Sequence, residues 1–344
     1  MSTTMQNAFR ASLVMATLLA ASPALGHVNW FVDTPGDVAP NYAFTDPAFL
    51  VWSALALGLI LFAVWLDLKL PVLRIVDSKT RHDFIEILRV FTGMSFLLTA
   101  YEGALLAPHH VMEGPVFTAL LFLQAGIGIL LIANRWLKWT AVLMLLLHAG
   151  VLITCGLRAA LEYSIFIGIA LFILFNNLNN PERREIAKLY SVAALRIWTG
   201  ISLVALAIGE KLAPSALGQS FVAAYGWNFM EALGFTVFTD QLFVLSAGMI
   251  EAVIGVVLIL GVTVRLAVLA LSVMMAISNV VFIRQGENEA ALVEFIGHMP
   301  IIGTALILLL LGYGQRLKIT QFLGWEAVPS AQPEKLAEPS VIKT

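Results

Sequence analysis

The chain has 344 residues, 60% of them apolar and 12% charged, with a mean hydropathy of +0.89. Values like these exclude a soluble globular domain and point to a polytopic membrane protein, and a net charge of −2 gives no basis for nucleic-acid binding. The single cysteine, Cys155, excludes an internal disulfide, a paired-cysteine zinc site and a CxxCH haem attachment, so redox or metal chemistry falls to histidine, carboxylates or a bound organic cofactor.

Residues 1–26 read as a secretory signal peptide, with Arg10 ahead of the apolar run ASLVMATLLAA and a small-residue site at Ala24-Leu25-Gly26. Cleavage there makes His27 the amino terminus, whose amine and ring are a candidate copper chelate, although metal is not the expected cofactor. A short outer segment, 27–47, is polar and proline-containing and leads into a first transmembrane helix at 48–68 and an inner loop at 69–88. Eight further spans are expected at 89–107, 115–133, 139–157, 162–177, 192–213, 241–261, 264–283 and 295–313. The basic residues set the orientation. With the amino terminus outside, sixteen of the twenty Lys and Arg lie on the inner side, and only Arg158, Lys211 and Arg284 on the outer. That bias is the positive-inside pattern of a bacterial-type inner membrane, with a cytoplasmic tail at 314–344.

The spans after the first repeat in tandem. RVFTG at 89–93 matches RIWTG at 196–200, LLAP ending at Pro108 matches KLAP ending at Pro214, and QAGIGILLI from Gln124 matches EAVIGVVLI from Glu251. EYSIFIG from Glu162 is read against EFIGHMP from Glu294 as a fourth landmark. The order predicts an all-α polytopic membrane protein with nine transmembrane helices, one extra helix plus two parallel four-helix bundles. The first unit is 89–180, an inner linker is 181–195, and the second unit is 196–313. The halves differ between Pro214 and Glu251, where Trp227, Phe229 and Phe235 mark an interfacial segment over the outer mouth of the second unit.

Glu251 lies near the middle of an apolar span, where a charge costs roughly 2.5–3.5 kcal/mol and needs a partner, a proton or a purpose. Lys211 is the expected partner, with Glu210 turned to water because adjacent helical residues point about 100° apart. Glu294 and His298 stand one turn apart on one face. With Asn279 at similar depth, these residues form one polar lining, open to a structural or a proton-carrying role. In the first unit Glu102, Gln124, His148 and Glu162 are the set at corresponding depth. A lone mid-membrane His148 has no obvious second ligand for a haem, and His109 and His110 follow Pro108 at the outer surface.

RIWTGISLVALAIGEKLAP, with its arginine, glycine and lysine spacing, and EAVIGVVLILGVTVRLAVLAL, with its mid-helix glutamate, glycine turn and Arg265, resemble the DoxX family of small membrane proteins. The second half, about 196–312, is the closer match. The resemblance implies four-helix bundles and thiol or sulfur redox at the membrane, some members being subunits of thiosulfate:quinone oxidoreductase, and it carries over to Lys211, Glu251 and Arg265. The function expected is a quinone-linked redox component, or the membrane anchor of a redox complex. Lys211, Glu251, Glu294 and His298 would carry protons, and Asn279, Arg265, Gln124 and His148 would line a cofactor site. The expected partners are the lipid bilayer, a quinone and a periplasmic or membrane redox protein, with no nucleic acid. Two alternatives use the same residues: a small-solute or ion transporter coupled through Glu251, and a non-catalytic scaffold that docks a periplasmic partner near Trp227.

Overall fold

The structure, a computed structural model, describes residues 28–32, 38–70, 78–311 and 316–327. The signal peptide, His27 and most of the tail lie outside the described residues. Twelve helices follow a single 3-10 turn at Val28–Trp30, and no strand occurs among the described residues. They are α1 (Pro47–Asp67), α2 (Ser78–Tyr101), α3 (Pro115–Ile132), α4 (Leu137–Glu162), α5 (Ile165–Asn176) and α6 (Pro181–Leu206). The π-helical turn Ala207–Leu212 prolongs α6 and is followed by α7 (Leu217–Tyr225), α8 (Phe229–Ala232), α9 (Asp240–Leu260), α10 (Val264–Gln285), α11 (Asn288–Leu311) and α12 (Ile319–Phe322). Their starts follow from local chemistry. Proline sits in the first turn of α1, α3 and α6, where its missing N–H is not needed, and the Asn180 side chain accepts the Arg183 N–H at 3.0 Å.

Among the described residues eight helices are long and apolar enough to cross a membrane, which makes the chain a membrane protein by length and composition. In place of the span expected at 162–177 stands α5, whose twelve residues reach only about 18 Å. Its partner α4 is broken at Gly156, where φ is 88°. The outermost helix by burial is α1, with 11% of its span inside the protein against 72% for α9. A long apolar face of α1 is thus left for lipid, while α9 is a core helix.

The first two helices of each unit share a set of contacts at matched positions. Arg89 donates to the carbonyls of Leu131 and Ile132 at the end of α3, and Arg196 donates to those of Leu258 and Ile259 at the end of α9. Thr92 and Thr199 each donate to the carbonyl four residues back, Leu88 and Leu195. A Cβ on Gly93 would stand 2.9 Å from the Gly128 carbonyl, and one on Gly200 would stand 2.5 Å from that of Gly255, so both crossings depend on glycine. The turns that follow match too, with positive φ at Asn134 and Trp136 in one and at Gly261 and Thr263 in the other.

The fourth landmark is displaced. Gly168 on α5 packs on Leu195, and the residue that packs in the same way on Leu88 is Gly303 on α11, nine residues after Glu294 rather than six. IFIGIALFIL at 165–174 therefore corresponds to PIIGTALILL at 300–309, and Glu162 has no counterpart in Glu294.

The units do not close separately. Around the protein α2, α3, α4, α5, α6, α9, α10 and α11 are successive neighbours, and α11 returns to α2. The last helix of each unit lies against the first helix of the other. The face opposite residues 28–32 and 38–46 is tied by Lys318, which bridges Asp67 and Glu326 at 2.7 Å each, and by Asp67, which accepts the Thr263 N–H at 2.7 Å.

Candidate functional site

The site grows from the end of α6. At Ala207–Leu212 the helix widens to a π turn, closed by the Ala213 N–H on the Ile208 carbonyl at 2.8 Å. Such turns recur at functional sites because the extra residue changes which side chains face the interior. Here both Glu210 and Lys211 face inward, at 0% and 2% exposure. The expectation that Glu210 faces water is therefore corrected, for two reasons: regular α-helical spacing does not hold across this turn, and the 28–32 segment covers it. Lys211 Nζ lies 2.6 Å from Glu251 Oε2 and 3.7 Å from Glu210 Oε2, so the expected Lys211–Glu251 pair is a triplet. Asn41 holds the turn from outside, its amide donating to the Lys211 and Ala213 carbonyls at 2.8 and 3.0 Å.

Glu210 is satisfied by the chain's own beginning. Its carboxylate accepts the Val28 N–H at 3.0 Å, the Asn29 N–H at 3.4 Å and the Asn29 side-chain amide at 2.9 Å. On the other side of the turn Arg158 and Glu162 pair at 2.6 Å, and Arg158 also donates to the Gly209 carbonyl at 3.0 Å. Gly209 is required there, since a Cβ would stand 2.5 Å from Glu162 Oε1. The result is a series of ionisable groups in which Arg158–Glu162 and Glu210–Lys211–Glu251 are joined through the Gly209 backbone. It runs from Arg158, whose side chain is 59% exposed, through Glu162 at 3%, past Gly209 to Glu210 and Lys211, and on to Glu251 at 15%.

Beside this chain, a cavity of about 20 Å3 is lined by Glu162, Tyr163, Thr199, Ser202 and Gly297 among apolar side chains from both units. Trp30 stands over two of the lining residues. Its Nε1 donates to the Tyr163 hydroxyl at 2.9 Å, and a Cβ on Gly297 would stand 2.0 Å from its ring. His298 lies 5.1 Å from Trp30 between ring centres and 3.8 Å from Glu294, which accepts from the Ser278 hydroxyl. Outside the spans, burial, then His110 and Arg158, push His109 down to about 3, and burial lowers His110 against a bond to the Leu105 carbonyl.

The other expected site residues fall elsewhere. Ser278, not its half-buried neighbour Asn279, faces Glu294, because the lining was placed by depth and not by helical angle. Arg265 donates to the Leu309 and Leu310 carbonyls at the far end of α11, where it caps a helix and cannot line the site. Gln124 is fully buried but in the first unit, holding the turn after α2. Its oxygen accepts the Leu106 N–H at 2.8 Å, and its amide donates to Thr99 Oγ1 at 2.8 Å and to the Phe96 and Ala104 carbonyls. His148 is buried on α4, eight residues before the Gly156 break. Glu102 is exposed. Trp227 is 4% exposed and packs among Phe221 and Phe282, so it is a core residue of the 215–239 insert and not a surface for docking.

Sequence reasoning missed the part played by 28–32 and by Arg158–Glu162. The aromatic pair in VNWF, ahead of the first span, and the glycine before Glu210 were the available signals. A scan against family models, a search of curated proteins and a search of solved structures find no match to this chain.

Proposed function

We propose that the protein is a proton-handling component of a bacterial-type inner membrane, with the Glu162–Glu210–Lys211–Glu251 chain as its proton path. The observation that carries this reading is the triplet. A fully buried carboxylate, Glu210, and a half-buried one, Glu251, share one ammonium, so the fully ionised group has a net charge of −1 in largely apolar surroundings, and one bound proton neutralises it. The chain runs from the exposed Arg158 side chain to the half-buried Glu251.

The repeat supplies a control. At the equivalent positions the first unit has Leu105 and Gln124, which pack the same crossing without charge. Packing alone does not require Lys211 and Glu251.

A quinone head group does not fit the central cavity, whose volume of about 20 Å3 suits a single water. Redox chemistry then belongs to a partner, in keeping with the resemblance to DoxX-like membrane subunits. A second reading, a small-solute transporter, is favoured by the place of the site where the two units meet, as in transporters built from repeats.

The test writes the first unit's residues into the second. The double variant Lys211→Leu/Glu251→Gln is expected to purify in normal yield and, in proteoliposomes under an imposed potential, to pass protons no faster than empty vesicles. Proton flux equal to wild type defeats the proposal. Substrate-dependent uptake lost in the same variant selects transport.

A further inference from the structure

The 28–32 segment is placed as an occupant of a cleft, and most of its contacts are made by side chains and by N–H groups aimed at one carboxylate. Its backbone-to-backbone hydrogen bonds stay within its own turn, Phe31 and Val32 donating to the Val28 carbonyl. It adds no strand or helix to a neighbour. What holds it are Glu210, through three N–H donors, Tyr163, through the Trp30 indole, and a nest of rings in which Phe31 meets Phe221, Tyr225 and Phe282 at 5.0–6.0 Å. The next described stretch is anchored independently, with the Asn41 N–H on the Ser215 carbonyl at 2.9 Å, so the segment can leave without unravelling the entry to α1.

Under the segment lie the parts of the proton path that need water. Trp30 covers Tyr163 and Gly297, which line the cavity, and Val28 and Asn29 cover Glu210. We infer that residues 28–32 form a removable plug, which closes the Glu210 carboxylate and the cavity beneath Trp30 to water on the face where α1 begins.

The inference rests on the proton-path reading for its purpose but not for its geometry. Withdrawal takes three N–H donors from Glu210 and admits water to it. Its carboxylate, faced then by Lys211 on its own turn, Glu251 of α9, Glu162 of α4 and Tyr163, becomes the group that accepts the incoming proton. Return of the segment restores the donors and closes the route. The plug gives the path a gate on one face only, the arrangement that one-way access requires.

The experiment measures access without relying on activity. In a Cys155→Ser background, Ser202→Cys places a thiol in the cavity wall, where Ser202 is 4% exposed. With the plug intact, reaction with a small cationic methanethiosulfonate is expected to be slow. Trp30→Gly should accelerate it about tenfold or more, a change that corresponds to about 1.4 kcal/mol of lost closure. Gly297→Ala should do the same from the other side, since its methyl group takes the space of the indole ring, and it keeps the test open where Trp30→Gly does not fold. Equal labelling rates with and without the plug overturn the inference. Faster labelling with no change in proton flux leaves the plug standing and removes the proton path.

Discussion

The two units carry one scaffold and two kinds of polar junction. In each, an arginine on the first helix caps the second, a threonine bonds back one turn and a pair of glycines lets the helices cross closely. In the first unit the junction beyond that crossing is held by Gln124, a neutral amide that satisfies backbone groups of the turn. In the second, the equivalent place holds Glu251 bonded to Lys211, with Glu210 behind it. Breaking a buried ion pair is costly, while replacing it whole by neutral groups is often harmless or stabilising. The first unit thus holds a neutral solution at the place where the second holds an ionic one.

Three measurements break or sharpen that comparison. The largest effect is expected from Lys211→Met, which leaves Glu210 and Glu251 buried without their cation and should lower stability by about 3–5 kcal/mol. Denaturation of the purified protein in detergent reads it, and adding Glu251→Gln should recover most of the loss. A double variant as unstable as the single one means that the pair is structural glue.

Next come the crossings. Gly93→Ala and Gly200→Ala should each cost about 1–3 kcal/mol by overpacking, with Gly200 the more sensitive because its Cβ would approach carbonyl oxygen at 2.5 Å against 2.9 Å. If only one of them destabilises, the units are less alike than their contacts indicate.

The smallest effect is a pH dependence confined to the first unit, where His109 and His110 stand in place of Ser215 and Ala216 after the shared proline. Burial, then His110 and Arg158, hold His109 down at about 3, so it stays neutral in the folded protein while the unfolded chain takes a proton near 6.5. Its contribution is present above about 6.5 and is lost as pH falls toward 3. His109→Ser should flatten the fall in melting temperature over that window; an unchanged profile assigns the acid sensitivity to other groups.

Much of the fold was legible because hydrophobic runs long enough to cross a bilayer announce themselves, and because the repeated arginine, glycine and proline positions each have a backbone reason. α5 was harder: its apolar stretch reads as a full span, and only the break at Gly156 shows that it is short. The Lys211–Glu251 pairing followed from depth and reach. Glu210 did not, since a π turn has no clear sequence signature and its partners lie at residues 28 and 29, about 180 positions away. Asn279 and Arg265 were placed by depth and by resemblance, and neither criterion reports which way a side chain points.

The exchange of last helices between the units has a consequence for biosynthesis. α2 ends at residue 101 and its main neighbour α11 begins at 288, so during translation the first half is threaded into lipid long before its companion exists. Until then its inward-facing groups must be sheltered by acyl chains or by the insertion machinery. Neither half is a finished object alone, and a ribosome that stalls midway leaves an open seam. Cut at the linker and made as two polypeptides, the halves should find each other in the bilayer, because each carries the closing piece of the other.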